Sequence, residues 1–191
     1  MSMASTLLIV FLMIFIVHPA VHANPEVEAL KAFKEKLDDP DNVLDNWDDT
    51  LVDPCTWHHI TCDSNNHVTH VDVFGNGRLS GPLAPELGNL AYVQKLTLNS
   101  NRINGPIPKE LGRLTNLVGL YLNNNALTGP IPDELGDLNT KTMKFLWLND
   151  NHLTGGVPQK LVNIIPKLQV VGSDEQSLER EVHSEAMPFW R

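Results

Sequence analysis

A chain of 191 residues with 14 Lys+Arg against 23 Asp+Glu carries a formal net charge of -9. That balance argues against a nucleic-acid ligand, because phosphate binding needs a basic stripe. Two cysteines and no Asn-x-Ser/Thr sequon leave room for one disulfide and for no N-linked glycan.

Met1 to Ala23 has no charged side chain and holds an apolar run from Leu7 to Val17, followed by Val21-His22-Ala23. A short apolar core ahead of small residues at the -3 and -1 positions reads as a cleaved secretory signal, and the run is shorter than the ~20 residues a membrane span needs. The mature protein is then expected to begin near Asn24, with no later segment able to span a membrane. In Pro25 to Asp39, Val27, Leu30, Phe33 and Leu37 recur at helical spacing and predict one amphipathic helix. Beyond Pro40 the chain turns irregular through Trp47 and Pro54 to Cys62. Behind a secretory signal the two cysteines are most simply one disulfide, Cys55 to Cys62, worth about 2.5 kcal/mol on a loop-entropy estimate. Residues 24–67 form the expected cap.

From Val68 the sequence becomes periodic. Val93 to Pro108, Leu117 to Pro132 and Met143 to Pro158 share the template LxxLxLxxNxLxGxIP, with a step of 24 from Leu96 to Leu120 and 26 from Leu120 to Leu146. That is a leucine-rich-repeat period. Leu96/Leu98, Leu120/Leu122 and Leu146/Leu148 stand two apart, as one face of a short strand requires, and are expected to stack into one core. Asn101, Asn125 and Asn151 follow the strands, where a side-chain amide can satisfy backbone groups in a bend, so a structural Asn ladder is expected. Gly105, Gly129 and Gly155 open the return, and the Pro-rich step after each is expected to run extended. A first repeat starts at Val68 with one extra residue in the Gly75–Gly77 bend, and a partial fifth starts with Leu168 and Val171. The fold expected is an α/β leucine-rich-repeat solenoid with a short parallel β-sheet and a helical, disulfide-closed N-terminal cap. Its domains are a signal over 1–23, the cap over 24–67, four repeats plus a partial fifth over 68–171, and a polar tail over 172–191.

The strand pattern places His70, Asp72, Phe74, Lys95, Thr97, Asn99, Gly119, Tyr121, Asn123, Phe145, Trp147 and Asn149 on the open face of the sheet. Tyr121, Phe145 and Trp147 gather at its C-terminal end, and exposed aromatics are the usual anchors of a protein contact. Their alternative role is to pack on one another or under Phe189 and Trp190. Four strands give roughly 300 Å² in projection against the ~800 Å² per partner of a standard interface, so a partner must also use the cap or the flank. His58, His59, His67 and His70 have no zinc-finger spacing; an acidic medium would titrate them. Asp38-Asp39 and Asp48-Asp49 lack a partnered acid, base or nucleophile. No phosphate loop or nucleophile elbow occurs. The expectation is a non-catalytic protein with no cofactor and no metal.

The run Glu28-Ala29-Leu30 through Asn42-Val43-Leu44, Trp47 to Pro54-Cys55-Thr56-Trp57 and Cys62, then Val71-Asp72-Val73 and the Leu-Thr-Gly-Pro-Ile-Pro returns, make residues 24 to 171 resemble the extracellular region of plant somatic-embryogenesis receptor-like kinases. The short secreted leucine-rich-repeat proteins related to them are similar too. The resemblance implies extracellular work: co-receptor pairing for kinase members, and apoplastic or membrane-associated defence and stress signalling for kinase-free ones. It places ligand and receptor contacts after Cys-Thr-Trp, at His58 and His59, and beside the strand leucines. His59, Phe145 and Asn149 match the family, whereas His58 replaces an aromatic and Lys95, Asn99 and Asn123 stand where tyrosine is common. A C-terminal cysteine pair found in many plant ectodomains is missing here.

Three readings follow. The first is an extracellular protein-interaction module of plant surface signalling, whose partner is a receptor-like kinase or other plasma-membrane signalling protein. The second is a secreted inhibitor of a pathogen wall-degrading enzyme, resembling polygalacturonase inhibitors, which are longer and have more cysteines. The third is a truncated product of a receptor-kinase-like gene, suggested by the loss of pattern after Val171.

Overall fold

The computed structural model describes residues 24–47, 53–75, 77–139 and 141–162, together with the backbone of a strand at 171–172. The secretory signal expected over 1–23, Leu168 of the partial fifth repeat, and the tail from 173 on lie outside the described residues.

Helix α1 spans Pro25–Glu35. Asn24 caps it by accepting from the Glu26 amide at 3.0 Å, and Pro25 fits the first turn, where no N–H bond is needed. Val27, Ala29, Leu30 and Phe33 bury the stripe that the spacing predicted. The helix stops four residues short of Asp39. Asp38 instead exchanges backbone hydrogen bonds with Ser80, at 2.7 and 3.0 Å, and the Asp39 carboxylate accepts from the amides of Val43 and Leu44. Those acids therefore hold the turn that follows the helix. Trp47 and Trp57 stack at 5.6 Å beneath the cap, and Cys55 and Cys62 are joined by a disulfide.

The repeats then alternate two kinds of strand. Those of the larger sheet are β1 (Ile60–Cys62), β2 (Val68–Asp72), β4 (Lys95–Thr97), β6 (Gly119–Tyr121), β8 (Phe145–Trp147) and β10 (Val171–Gly172). Those of the smaller are β3 (Ser80–Pro82), β5 (Arg102–Pro106), β7 (Ala126–Pro130) and β9 (His152–Thr154). Among the described residues the first sheet runs β1-β2-β4-β6-β8-β10, with only β1 antiparallel to its neighbour, and the second runs β3-β5-β7-β9, all parallel. The return path thus goes beyond the extended segment expected, because successive Asn-Gly-Pro and Thr-Gly-Pro steps pair with one another. Short 3-10 turns at Pro85–Asn89, Lys109–Arg113 and Asp133–Asp137 close each coil. The strand leucines at 96, 98, 120, 122, 146 and 148 are all fully buried in one continuous core.

The asparagines bond as a ladder. Asn125 donates to the carbonyls of Leu98 (2.9 Å) and Leu122 (3.1 Å), and its Oδ1 accepts from the Ile103 amide at 2.9 Å. Asn151 repeats the pattern on Leu122, Leu148 and the Leu127 amide. Asn101 donates to Val73 and Leu98, yet its Oδ1 is buried with no partner. Among the described residues no amide of the first repeat reaches it, and that repeat carries the extra residue at the Gly75–Gly77 bend.

Glu26 ties the cap to the first repeat. Its carboxylate is only 5% exposed and accepts from the Val68 amide through both oxygens at 3.2 Å. Burial raises its pKa, and Asp63 adds to the rise, while the Val68 amide and His67 oppose it. A raised carboxyl pKa favours folding most below the unfolded value, and that contribution is lost as pH rises through the folded value. Glu26→Gln, which keeps an acceptor and cannot ionise, is therefore expected to melt above wild type at pH 7, with the gap closing towards pH 4. Thermal melts across that range check it; a gap independent of pH would refute the assignment.

Candidate functional site

The open face of the larger sheet is arranged in columns by the parallel register. One column runs His70, Lys95, Gly119, Phe145, and the next runs Asp72, Thr97, Tyr121, Trp147. Phe74, Asn99, Asn123 and Asn149 follow beyond the strand ends. Each column places side chains about 4.8 Å apart, so neighbours along it touch.

The polar half centres on Asp72. Its Oδ1 accepts from the Thr97 hydroxyl at 2.6 Å and lies 3.1 Å from Lys95 Nζ. The same ammonium stands 5.8 Å from the centre of the Tyr121 ring, within cation–π reach. The aromatic half follows at once: Tyr121 stacks on Phe145 with centroids 6.1 Å apart and packs against Trp147 at 5.7 Å. These three rings are half-buried, since each covers part of the next. The structure thus differs from the expectation of three exposed anchors, and the two roles weighed for them coexist: the rings pack together and still show an edge to solvent. Trp147 Nε1 is buried and finds no hydrogen-bond partner among the described residues.

Two expected contact residues are corrected. Thr97 and Asn123 are only 6% and 5% exposed. Thr97 is occupied in holding Asp72, and the Asn123 side chain is turned into the structure, its Oδ1 buried with no partner among the described residues. Lys95, Asp72, His70, Asn99 and Asn149 are half-buried, with Asn99 bonded to the Ser100 hydroxyl and Asn149 to Asp150. Phe74 is the most exposed large apolar side chain described, at 54%.

The cap brings its histidines to the rim of this face. The His59 carbonyl accepts from the Asp72 amide at 2.9 Å, and His59 itself holds a left-handed backbone with φ 67°. That conformation turns the chain from the cysteine loop into β1, leaving both imidazoles exposed. His58 pairs loosely with Asp45 at 3.7 Å, while its backbone is fixed by the Asn46 side chain and the Trp47 indole. His70 Nδ1 lies 3.0 Å from the Thr69 hydroxyl. Among the described residues no group of three His, Cys, Asp or Glu side chains is placed to hold a metal.

Sequence reasoning missed the flank. Tyr92, 45% exposed, stacks on His67 at 3.7 Å with the planes 11° apart. His67 in turn sits 3.3 Å from Asp63, whose carboxyl is held low, first by the His67 backbone amide. Gln94 and Val118, one residue ahead of their strands, line a shallow groove on the face together with His70, Lys95, Tyr121 and Phe145. Their position before the LxL triplet was the only sign available, and it is shared by any residue entering a strand.

Stacked repeats, an asparagine ladder, a disulfide-closed helical cap and an open parallel face define a leucine-rich-repeat solenoid. Residues 23–63 match the family described as leucine rich repeat N-terminal domain, and residues 92–114 and 116–138 match the leucine rich repeat family. Leucine-rich repeat protein 1 of Arabidopsis thaliana is 58% identical over 78 residues, which are 41% of this chain and 35% of that protein. The match thus spans about a third of that relative's length. Among solved structures, PEPR1–AtPEP1 superposes with a TM-score of 0.70 at 36% identity, covering 78% of this chain and 21% of that one. The complex of the Arabidopsis receptor kinase HAESA with the peptide hormone IDA and the co-receptor SERK1 gives 0.67 at 31%, covering 78% and 26%. The chain carries leucine-rich repeats and resembles plant leucine-rich-repeat proteins and the ectodomains of receptor kinases. Among the described residues no helix is long and apolar enough to cross a membrane.

Proposed function

We propose that the protein is an extracellular, non-catalytic interaction module of plant cell-surface signalling. It docks a receptor-like kinase or another plasma-membrane signalling protein through the open face of the larger sheet and the adjoining cap rim. The observation that carries this reading is the joined set Asp72, Lys95, Tyr121, Phe145 and Trp147, with Phe74 exposed beside it. Such a mixture of aromatic edges and one buttressed ion pair is the composition of a contact centre. The HAESA complex, with its peptide hormone and co-receptor, supports a protein partner for a fold of this kind. The cap rim at His58 and His59, beside Phe74 at the end of the first repeat's strand, supplies the area that the sheet alone lacks.

Proximity labelling in plant tissue, comparing wild type with Tyr121→Ala/Trp147→Ala, tests it. Enrichment of receptor kinases that is lost in a folded double variant is the expected result. Enrichment of wall enzymes or pathogen hydrolases would overturn the signalling role, and labelling unaffected by the substitutions would overturn the face.

A further inference from the structure

We propose that residues 173–183 dock on the C-terminal end of the array as a fifth, degenerate coil, whichever face receives a partner. The last described coil has an unfinished end. Leu153 and Val157 are only half-buried, whereas their counterparts Ile103 and Ile107, then Leu127 and Ile131, are buried. Among the described residues β9 pairs on one side only, although the larger sheet goes one strand further, to β10. The ladder is open at the same place. The Ile103 amide donates to Asn125 and the Leu127 amide to Asn151, and the Leu153 amide holds the next position in that series.

The register of β10 fixes what comes next. Val171 lies beside Leu146, a step of 25, and Gly172 beside Trp147. Carried on at that step, Asn151 maps to Gln176, Leu153 to Leu178 and Val157 to Val182. A carboxamide thus falls on the open rung, and an apolar residue on each of the two half-buried positions. Gln176 accepts from the Leu153 amide, and Leu178 and Val182 cover Leu153 and Val157. Between them Ser177, Glu179, Arg180 and Glu181 are polar, as the outer surface of a terminal repeat has to be. The coil is weakly built all the same. Ser173 stands where Leu148 fills the core, and Arg180 where Gly155 takes φ 76°, a left-handed backbone that a side chain disfavours. Those two exchanges erase the leucine template while the spacing survives. Because β10 borders β8, the same coil bounds the aromatic end of the open face at Trp147.

Hydrogen–deuterium exchange of the full secreted chain, read by mass spectrometry over 152–157 and 173–183, tests it. Both segments should exchange more slowly than an unstructured chain. Leu178→Asp should speed exchange in both by about tenfold and leave 120–130 unchanged. Gln176→Asn/Arg180→Gly, which restores the rung and the left-handed turn, should slow both by about fivefold. Three results would each overturn the proposal: a segment 173–183 that exchanges as an unstructured chain, protection of 152–157 that grows with protein concentration, as a second copy would give, or exchange indifferent to both variants.

Discussion

Asn151→Ala is expected to lower stability by about 3–5 kcal/mol, as much as truncating a core leucine, although no apolar contact is the target. The Asn151 side chain, 4% exposed, serves the Leu122 and Leu148 carbonyls and the Leu127 amide; without it the Leu148 carbonyl and the Leu127 amide lose their Asn151 partner, while the Leu122 carbonyl keeps only Asn125. Each orphaned group costs roughly 1–3 kcal/mol. For a domain of this size the loss reads as a fall in Tm of about 10 °C or more. Asn101→Ala gives the internal comparison, because Asn101 Oδ1 already lacks a partner and one fewer bond is lost. Thermal melts should rank Asn151→Ala as the more damaging; equal effects would show that the amide acceptor contributes nothing.

Gly112→Ala is expected to destabilise by about 3 kcal/mol, reversing the gain of about 0.4–1 kcal/mol that the exchange brings where the backbone tolerates it. Gly112 is buried in the 3-10 turn Lys109–Arg113, and a Cβ there would collide with the Glu134 carbonyl oxygen and press on the Glu134 Cβ. The obstacle is largely backbone, so no rotamer change relieves it. Gly88 meets Glu110 and Gly136 meets Lys160 in the same way. One methyl group therefore pries two coils apart. Denaturant unfolding of Gly112→Ala measures the effect, and an unchanged midpoint would mean that the coils slide freely.

The solenoid was legible because its signals are translational. Leu96, Leu120 and Leu146 recur with Asn, Gly and Pro in register, and period-2 spacing leaves one inward face for them. The helix was legible from the spacing of Val27, Leu30 and Phe33, and the structure adds the Asn24 cap that starts it. Its end was not: Glu35 is released by Asp38 pairing with Ser80, a partner far along the chain. The second sheet was hidden because Asn104-Gly-Pro and Thr128-Gly-Pro carry no apolar alternation, and pairing there follows from stacking coils. The glycines 88, 112 and 136 recur at steps of 24, so their signal was present in the sequence and went unread. On the candidate face, residue identities were legible but depths were not. Thr97 is buried with its hydroxyl on Asp72 and Asn123 with its Oδ1 inside, depths that a column of letters does not display.

The joint between α1 and the first repeat sets what can be grafted. Glu26 reaches Val68, Asp38 pairs with Ser80, and Gly81 lies so close under the Lys36 carbonyl that any side chain would clash. A chimera cut between 67 and 68 puts one member of each of these three ties on foreign sequence. Exchange of recognition properties between such proteins has to move everything up to about residue 83 as one cassette, whereas later coils, touching only their neighbours, can be transplanted singly.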